Sequence, residues 1–359
     1  MKVLLTGGTG FLGEYLLAEL LDRGHQVWAM YRSEHRKLNT IRFLCSLGLP
    51  LSANSLHWFR GELLDIADQW EAWCQEYEGL AEVDTLIHCA GSTRFHLDEY
   101  GEPVKTNVGG ARVLRKLKEK HPLKVHLVST AYVCGRIDGQ VVYEVNHPRG
   151  DFLNVYEESK WEAEQLWTGE ATILRPSIIV GDSDTGRCTS FTGWYILLQA
   201  VHLLDRLMGE NRNSYRHNLQ IHIPSDASAS TNIIPVNWVA KAAVRIIENP
   251  RNHNKIFHLT HPHPPSHQWT LEQSCKRFNI GGIRFVGTNG LFTPPRNVIE
   301  RLVWRQIQSI ALYFSNDPKF DRANTENALP DLPVPDINEA FFHRLINYAI
   351  EQSWGQAQD

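Results

Sequence analysis

Between an apolar run at Val3 to Leu5 and a helical pattern from Phe11 to Leu21 lies Thr6-Gly7-Gly8-Thr9-Gly10-Phe11-Leu12-Gly13. No other stretch constrains the fold as tightly. Gly7 and Gly8 allow a sharp turn, Gly10 lets backbone approach a pyrophosphate, and Gly13 permits close packing of helix on strand. The helix start adds free N–H groups and the positive end of a dipole. A strand, glycine loop and helix in this order is either a tight turn that binds nothing or the phosphate loop of a dinucleotide site. The spacing and context favour the second.

The chain then repeats the alternation that a parallel sheet requires. Strands are expected at Gln26 to Tyr31, Leu56 to Phe59, Thr85 to Cys89, Lys124 to Ser129 and Ala171 to Leu174, after the first at Val3 to Leu5. Helices are expected from Phe11 to Leu21, closed by Gly24, from Val108 to Lys120 and from Tyr156 to Trp167. Such a series predicts an α/β fold, a Rossmann-type doubly wound parallel sheet. After Arg175-Pro176 the pattern loosens. A helix is expected over Trp194 to Met208, a strand and helix over Asn232 to Val236 and Trp238 to Ile247, and a strand over Lys255 to Thr260. Two further helices, Asn297 to Phe314 and Asn338 to Ser353, close the chain. The expected division is residues 1–180 as the nucleotide-binding unit, with 232–260 returning to it. Residues 181–231 and 261–359 form a smaller C-terminal substrate-binding cap.

The 359 residues balance 36 Lys and Arg against 40 Asp and Glu, a net charge of −4, which argues against a nucleic-acid partner. Six single cysteines suit free thiols in a reducing compartment. No apolar run is long enough for an integral membrane segment, and Met1 runs into the glycine loop without room for a signal peptide. A cytoplasmic enzyme is expected.

The tip of the second strand discriminates between coenzymes. Met30-Tyr31-Arg32-Ser33 carries no carboxylate for a ribose 2′-hydroxyl until Glu34. Arg32 can fork onto a 2′-phosphate, with Arg36 or Lys37 adding charge. NADP(H) is therefore expected before NAD(H), the alternative being a solvated basic turn.

Tyr156 and Lys160, four residues apart, share one helix face. A neighbouring ammonium favours the phenolate and brings a tyrosine nearer a useful catalytic range. Such pairs also occur by chance on surface helices. What raises this one is a hydroxyl at the end of the preceding strand, in Val128-Ser129-Thr130-Ala131-Tyr132, where it can hold a carbonyl against the tyrosine.

These residues resemble the extended short-chain dehydrogenase/reductases. The glycine loop, His88-Cys89-Ala90-Gly91, Asn107-Val108-Gly109-Gly110, Ser129-Thr130-Ala131, the Tyr156/Lys160 pair and Arg175-Pro176-Ser177 match that family in order, over about the first half of the chain. Within it, Ser129 to Val133, Asn154 to Lys160 and Ile173 to Ser183 look most like the thioester-reductase and fatty-acyl-reductase branch.

The resemblance implies roles residue by residue. Tyr156 would be the general acid, Lys160 would bind the nicotinamide ribose and lower the tyrosine pKa, and Thr130 would be the catalytic hydroxyl, with Ser129 the alternative. Thr6, Gly7, Gly8, Thr9, Gly10, Phe11, Leu12 and Gly13 would line the pyrophosphate. Ala90 and Gly91 would pass beside the adenosine ribose, and Arg32, Glu62 and Leu63 would meet the adenosine end. Glu62 stands where the family often has Asp. Asn107 would organise the catalytic helix, and Pro176, Ser177 and Ile178 would flank the nicotinamide. The implied reaction is NADPH-dependent reduction of an acyl thioester, on coenzyme A or a carrier protein, to aldehyde or alcohol. Its own Met1 suggests a stand-alone enzyme that collects its thioester by diffusion. The resemblance allows a homodimer, which nothing in the sequence decides.

Two other readings compete. One is an extended-family enzyme on a different carbonyl or alcohol, a sterol, a flavonol-like ketone or a sugar nucleotide. The other is a dinucleotide-sensing regulator, against which the retained Tyr156 and Lys160 speak. His261-Pro262-His263-Pro264-Pro265-Ser266-His267 suggests metal, but proline makes alternate side chains diverge and no Cys or carboxylate cluster accompanies it. His217 and His222 offer no better site. The stripe Leu302, Val303, Trp304, Ile307, Ile310, Ala311, Tyr313, Phe314 is expected as core before an acyl tunnel or a membrane contact.

Overall fold

The computed structural model describes residues 1–49, 51–52, 55–137, 139–208, 219–287 and 295–355. The strands are β1 (Lys2–Thr6), β2 (Gln26–Tyr31), β3 (Leu56–Arg60), β4 (Thr85–His88), β5 (Lys124–Val128), β6 (Val141–Val142), β7 (Thr172–Pro176), β8 (Ile178–Val180), β9 (Ile221–Ile223), β10 (Ile233–Pro235), β11 (Ile256–Leu259), β12 (Ile283–Phe285) and β13 (Lys319–Phe320). The helices are α1 (Phe11–Asp22), α2 (Glu34–Ser46), α3 (Ile66–Glu76), α4 (Val104–Lys120), α5 (Val155–Gln165), α6 (Tyr195–Met208), α7 (Val236–Glu248), α8 (His267–Phe278), α9 (Val298–Ile307), α10 (Ala323–Ala328) and α11 (Glu339–Glu351).

Seven strands form a parallel sheet in the order β11-β7-β5-β4-β1-β2-β3. Val3, Leu4 and Leu5 are wholly buried, as they must be when helices cover both faces of a parallel sheet. One face packs α1 and α7, through Leu16, Leu17, Leu20, Ala243 and Ile247. The other packs α3, α4 and α5, through Ile66, Trp70, Leu114, Leu117 and Ala163. A separate core joins α6, α8, α9 and α11 through Leu198, Leu204, Leu271, Ile307 and Phe342. The strand order reverses between β1 and β4, and the carboxyl ends of strands at such a reversal are where an open α/β sheet binds ligands.

The doubly wound α/β sheet is the expected one. It has seven strands where six were expected of the first half, because β11 adds to β7 at the edge, with Ile256 opposite Ile173 and Leu259 opposite Pro176. Arg175 and Pro176 belong to β7 rather than to the turn after it. The helix expected from Val108 starts one turn earlier, at Val104. The long helix expected from Asn297 to Phe314 is broken: α9 stops at Ile307 and a 3-10 turn covers Ala311–Ser315. There Ile310 N–H donates to Ile307 and Tyr313 N–H to Ile310, a three-residue spacing that replaces the four-residue ladder. The tighter winding buries Ile310, Ala311 and Phe314 together. Among the described residues no helix is long and apolar enough to cross a membrane.

Candidate active site

The glycine loop is closed by backbone alone. Gly7 has φ +75°, and a Cβ there would come within 2.4 Å of the Ala90 nitrogen. A Cβ on Gly13 would stand 2.0 Å from the Gly7 carbonyl oxygen. Gly10 N–H donates to Gly7 at 3.0 Å, and Gly10 is the N-cap of α1, so no side chain caps that helix. By contrast Ser33 caps α2 and Asn154 caps α5. The first-turn N–H groups of α1 are left for an external acceptor, which is what a pyrophosphate is. These residues fit a dinucleotide. Thr6, on β1, bonds His88, on β4, at 2.7 Å from hydroxyl to Nδ1, and also receives the Ala90 N–H at 3.4 Å. That link pins the two strands at the reversal, and burial holds the His88 imidazole down to about 3.

At the tip of β2 Arg32 is 68% exposed and lies 3.7 Å from Glu62, itself 60% exposed. Lys37 pairs with Glu34 at 2.9 Å and lies 4.5 Å from the centre of the Tyr31 ring. Arg60, opposite Tyr31 on β3, adds a fourth base to the Arg32, Arg36 and Lys37 group; the sequence reading did not single it out. Leu63, buried, starts the short 3-10 turn after β3 and packs against Gly110.

The Tyr156/Lys160 face of α5 lies against the end of β5. The Lys160 ammonium donates to the Val128 carbonyl at 2.7 Å, and burial lowers its pKa. Thr130, itself buried, caps the following 3-10 turn by receiving the Tyr132 N–H at 3.3 Å, and its hydroxyl lies close enough to that of Tyr156 to favour the phenolate. Burial pushes that phenol up to about 12 and Thr130 opposes the rise; the expected lowering by Lys160 is not seen, because its ammonium is turned to the Val128 carbonyl. Ser129, equally buried, has a hydroxyl with no partner among the described residues, and so has Ser177. Asn107 donates to Ser159 on α5 at 2.8 Å and to the Ser92 carbonyl at 3.0 Å, while receiving the Ser92 N–H at 2.9 Å. A Cβ on Gly91 would stand 3.2 Å from Asn107 Oδ1 and 3.8 Å from Lys160 Nζ, a tight approach to the first and ordinary contact with the second. The structure thus brings the glycine loop, Ala90, Gly91, Asn107, Thr130, Tyr156, Lys160 and the Pro176–Ile178 turn to one edge of the sheet, at the carboxyl ends of β1, β4, β5 and β7.

Three groups there were given no role at the site by the sequence. Arg175 is fully buried and grips Glu164 of α5 with two bonds, at 3.0 and 2.7 Å, tying that helix to the sheet. Phe95 sits with its ring centre 6.4 Å from that of Tyr156 and 5.7 Å from that of Tyr313. Tyr313 itself donates to Glu157 at 2.7 Å. The Asn154-x-x-Glu157 spacing of a capping box could have flagged Glu157. Nothing local marks Tyr313.

The histidine-rich stretch is a loop followed by α8. His261 Nε2 bonds the Pro335 carbonyl at 3.1 Å and His267 bonds Ser225 at 2.7 Å. Among the described residues no group of three or more potential ligands gathers. His222 pairs with Glu300 at 3.0 Å, and His217 lies outside the described residues. Of the apolar stripe, Val303, Ile307, Ile310, Ala311 and Phe314 are core, whereas Leu302 is 37% exposed.

The sequence model of the family described as Male sterility protein matches residues 5–243. A nonribosomal peptide synthetase of Aspergillus flavus, asaC, is 29% identical over 76% of this chain, which spans 27% of that protein's length. The terminal R domain of the myxalamid PKS-NRPS biosynthetic pathway superposes with a TM-score of 0.77 at 21% identity, covering 100% of this chain and 92% of that one. A UDP-glucose 4-epimerase from Bifidobacterium longum, in complex with NAD+ and UDP, gives a TM-score of 0.65 at 18% identity, covering 99% and 100%.

Proposed function

Because the chain belongs to the Male sterility protein family, within the extended short-chain dehydrogenase/reductases, and is an NAD(P)-dependent oxidoreductase of that kind, we propose that it reduces an acyl thioester to an aldehyde or alcohol. The observation that carries this reading is the Thr130–Tyr156 hydroxyl pair, with Lys160 one turn along the same helix, at the ligand-binding edge of the sheet. The similarity to a nonribosomal peptide synthetase and to the terminal R domain of a PKS-NRPS pathway supports this reading, in which the thioester is held by a carrier or by coenzyme A.

In this mechanism the dinucleotide supplies the hydride. The glycine loop would hold its pyrophosphate, Lys160 its nicotinamide ribose, and Ala90 and Gly91 the adenosine side. The hydroxyls of Thr130 and Tyr156 receive the thioester carbonyl oxygen, and Tyr156 gives its proton as negative charge develops there. Each preorganised donor of this kind can contribute about 3–4 kcal/mol to the transition state. The resulting hemithioacetal collapses to aldehyde and free thiol. The Tyr156 phenol, raised further by burial, is protonated at neutral pH, as a proton donor must be. Arg32, with no carboxylate ending β2, supports NADPH; the exposed Glu62 would exchange its pairing with Arg32 for solvent when a 2′-phosphate arrives.

The test is coenzyme oxidation followed by absorbance with a panel of acyl-coenzyme A and acyl-carrier thioesters, with products identified by mass spectrometry. Thioester-dependent oxidation should yield aldehyde or alcohol. Tyr156→Phe should cut turnover by roughly 10²–10⁴ while coenzyme affinity holds. Silence across the panel with the coenzyme bound would overturn the thioester reading and favour a ketone, a sterol or a sugar nucleotide.

A further inference from the structure

Glu157 is the residue after Tyr156, and its side chain is wholly buried. Among the described residues no cation lies within ion-pair distance of it. An isolated buried carboxyl is costly, and proteins keep one only where hydrogen bonds hold it. Here they do. Its Oε2 receives the Leu153 N–H at 3.0 Å, and its Oε1 receives the Tyr313 hydroxyl at 2.7 Å. Tyr313 in turn accepts from Asn154 Nδ2 at 2.8 Å, and Asn154 Oδ1 caps α5 through the Glu157 N–H at 3.0 Å. The phenol of Tyr313 therefore sits between the capping side chain and the first-turn carboxyl of the helix that carries Tyr156. It comes from the 3-10 turn Ala311–Ser315, 156 residues further along the chain. Its ring also packs on Phe95 and, edge-on at 5.5 Å, on Tyr132, which follows Thr130 in the chain by two residues.

We infer that Glu157 and Tyr313 form a clip that holds the start of the catalytic helix, and with it the Tyr156 hydroxyl, where it can give its proton to the substrate. Both are positioning residues: they act through Tyr156 and touch the reacting atoms at no point. The inference rests on the reading of Tyr156 as proton donor. The break in the helix after Ile307 has its use here, because the tighter turn presents Tyr313 to Glu157 while its neighbours stay in the core. The groups facing Glu157 are Tyr313 from that turn, Tyr132 and Cys134 from the 3-10 turn after β5, and Tyr156 and Asn154 from its own helix. None is a cation, and burial pushes the Glu157 carboxyl up to about 7.

The experiment compares wild type, Tyr313→Phe, Glu157→Gln, the double variant and Tyr156→Phe, all as full chains with coenzyme bound. Tyr313→Phe keeps the ring in its aromatic cluster and loses only the bond. It should cut kcat about tenfold, as loss of one buried hydrogen bond predicts, with KM and coenzyme Kd nearly unchanged. Glu157→Gln should cost a similar factor, and the double variant no more than the poorer single one, because the two act as one device. The wild-type pH profile should inflect at about 7, where the carboxyl titrates, and that inflection should vanish in Glu157→Gln. Wild-type kcat in Tyr313→Phe, or losses that multiply in the double variant, overturns the clip. Full turnover in Tyr156→Phe, or none in wild type, instead breaks the reading of Tyr156. The clip is then judged by amide hydrogen exchange over residues 153–160: protection lost there in Tyr313→Phe upholds it, and unchanged protection overturns it.

Discussion

The glycine loop and the Tyr313 clip flank the same edge of the sheet and are made in opposite ways. At the loop the chain removes side chains: Gly7, Gly10 and Gly13 bring backbone within contact of backbone, all inside eight consecutive residues. At the clip everything is side chain, and the partners lie 156 and 159 residues apart. One is a shape that a single added methyl destroys. The other is a set of hydrogen bonds that a single removed oxygen weakens. The coenzyme side should therefore fail by exclusion and the substrate side by loosening.

Gly13→Ala puts that contrast under the largest strain. The new Cβ would stand 2.0 Å from the Gly7 carbonyl and 2.9 Å from Gly8 Cα, both backbone atoms, so α1 or the loop must move. Dinucleotide affinity should fall on the order of 100-fold, read by fluorescence titration of bound coenzyme, because the N–H groups lose their aim. A change below threefold would show that the loop yields, and the contrast with the clip would go.

Glu157→Gln sharpens the other side through stability. The folded carboxyl titrates at about 7, above its usual 4.5. Its neutral form is the one the fold prefers, so its contribution is fully present below pH 4.5 and is lost as the pH rises through 7. The variant has no such slope. Its stability relative to wild type should rise by roughly 2–3 kcal/mol between those limits, measured by urea unfolding at several pH values. A flat difference would mean that the carboxylate is as well held as the acid.

The same contrast explains what the sequence made legible. β2 spans Gln26–Tyr31 as its apolar run indicates, and β1, the glycine loop and α1 follow from signals within twenty residues. Tyr156 and Lys160 could be paired because one helix turn separates them. Glu144, which receives the Thr325 hydroxyl at 2.7 Å and the His258 N–H at 2.6 Å, shows the limit: its partners are 181 and 114 residues away and no spacing announces them. The pairs β6–β13 and β9–β12 escape for another reason, since two or three residues are too few to show a period. The 3-10 turn at Ala311–Ser315 continues a helical pattern that only the packing of Ile310 and Phe314 overrides.

Arg32→Ser tests whether the adenosine end belongs with the loop or with the clip. If a side-chain fork recognises a 2′-phosphate, the variant should lose about tenfold in NADPH affinity, the worth of one charge-assisted bond, and almost none in NADH affinity. Equal losses for both coenzymes would make Arg32 a general adenosine contact. Preference would then rest on Arg36, Lys37 and Arg60.

The smallest effect lies away from both regions, at the opposite end of the sheet. His126 is 1% exposed on β5, and neither ring nitrogen has a partner among the described residues. It lines a cavity of about 170 Å³ with Lys124, Thr172, His253 and Asn254, and packs edge-on against His253 at 5.0 Å. Burial, with His253 and Lys124 adding, holds its imidazole down to about 3, below the usual 6.5. The neutral ring is the folded form, so its contribution is present above pH 6.5 and is lost as the pH falls toward 3. His126→Phe removes two unpaired polar atoms at similar volume and should gain about 1 kcal/mol at neutral pH, by urea unfolding. The gain should grow as the pH is lowered below 6.5, while coenzyme affinity and turnover stay at wild-type values. A loss of stability at both neutral and acid pH would mean that the imidazole is hydrogen-bonded through water in that cavity. The sheet would then depend on a polar contact at its quiet end, as it does at its catalytic one.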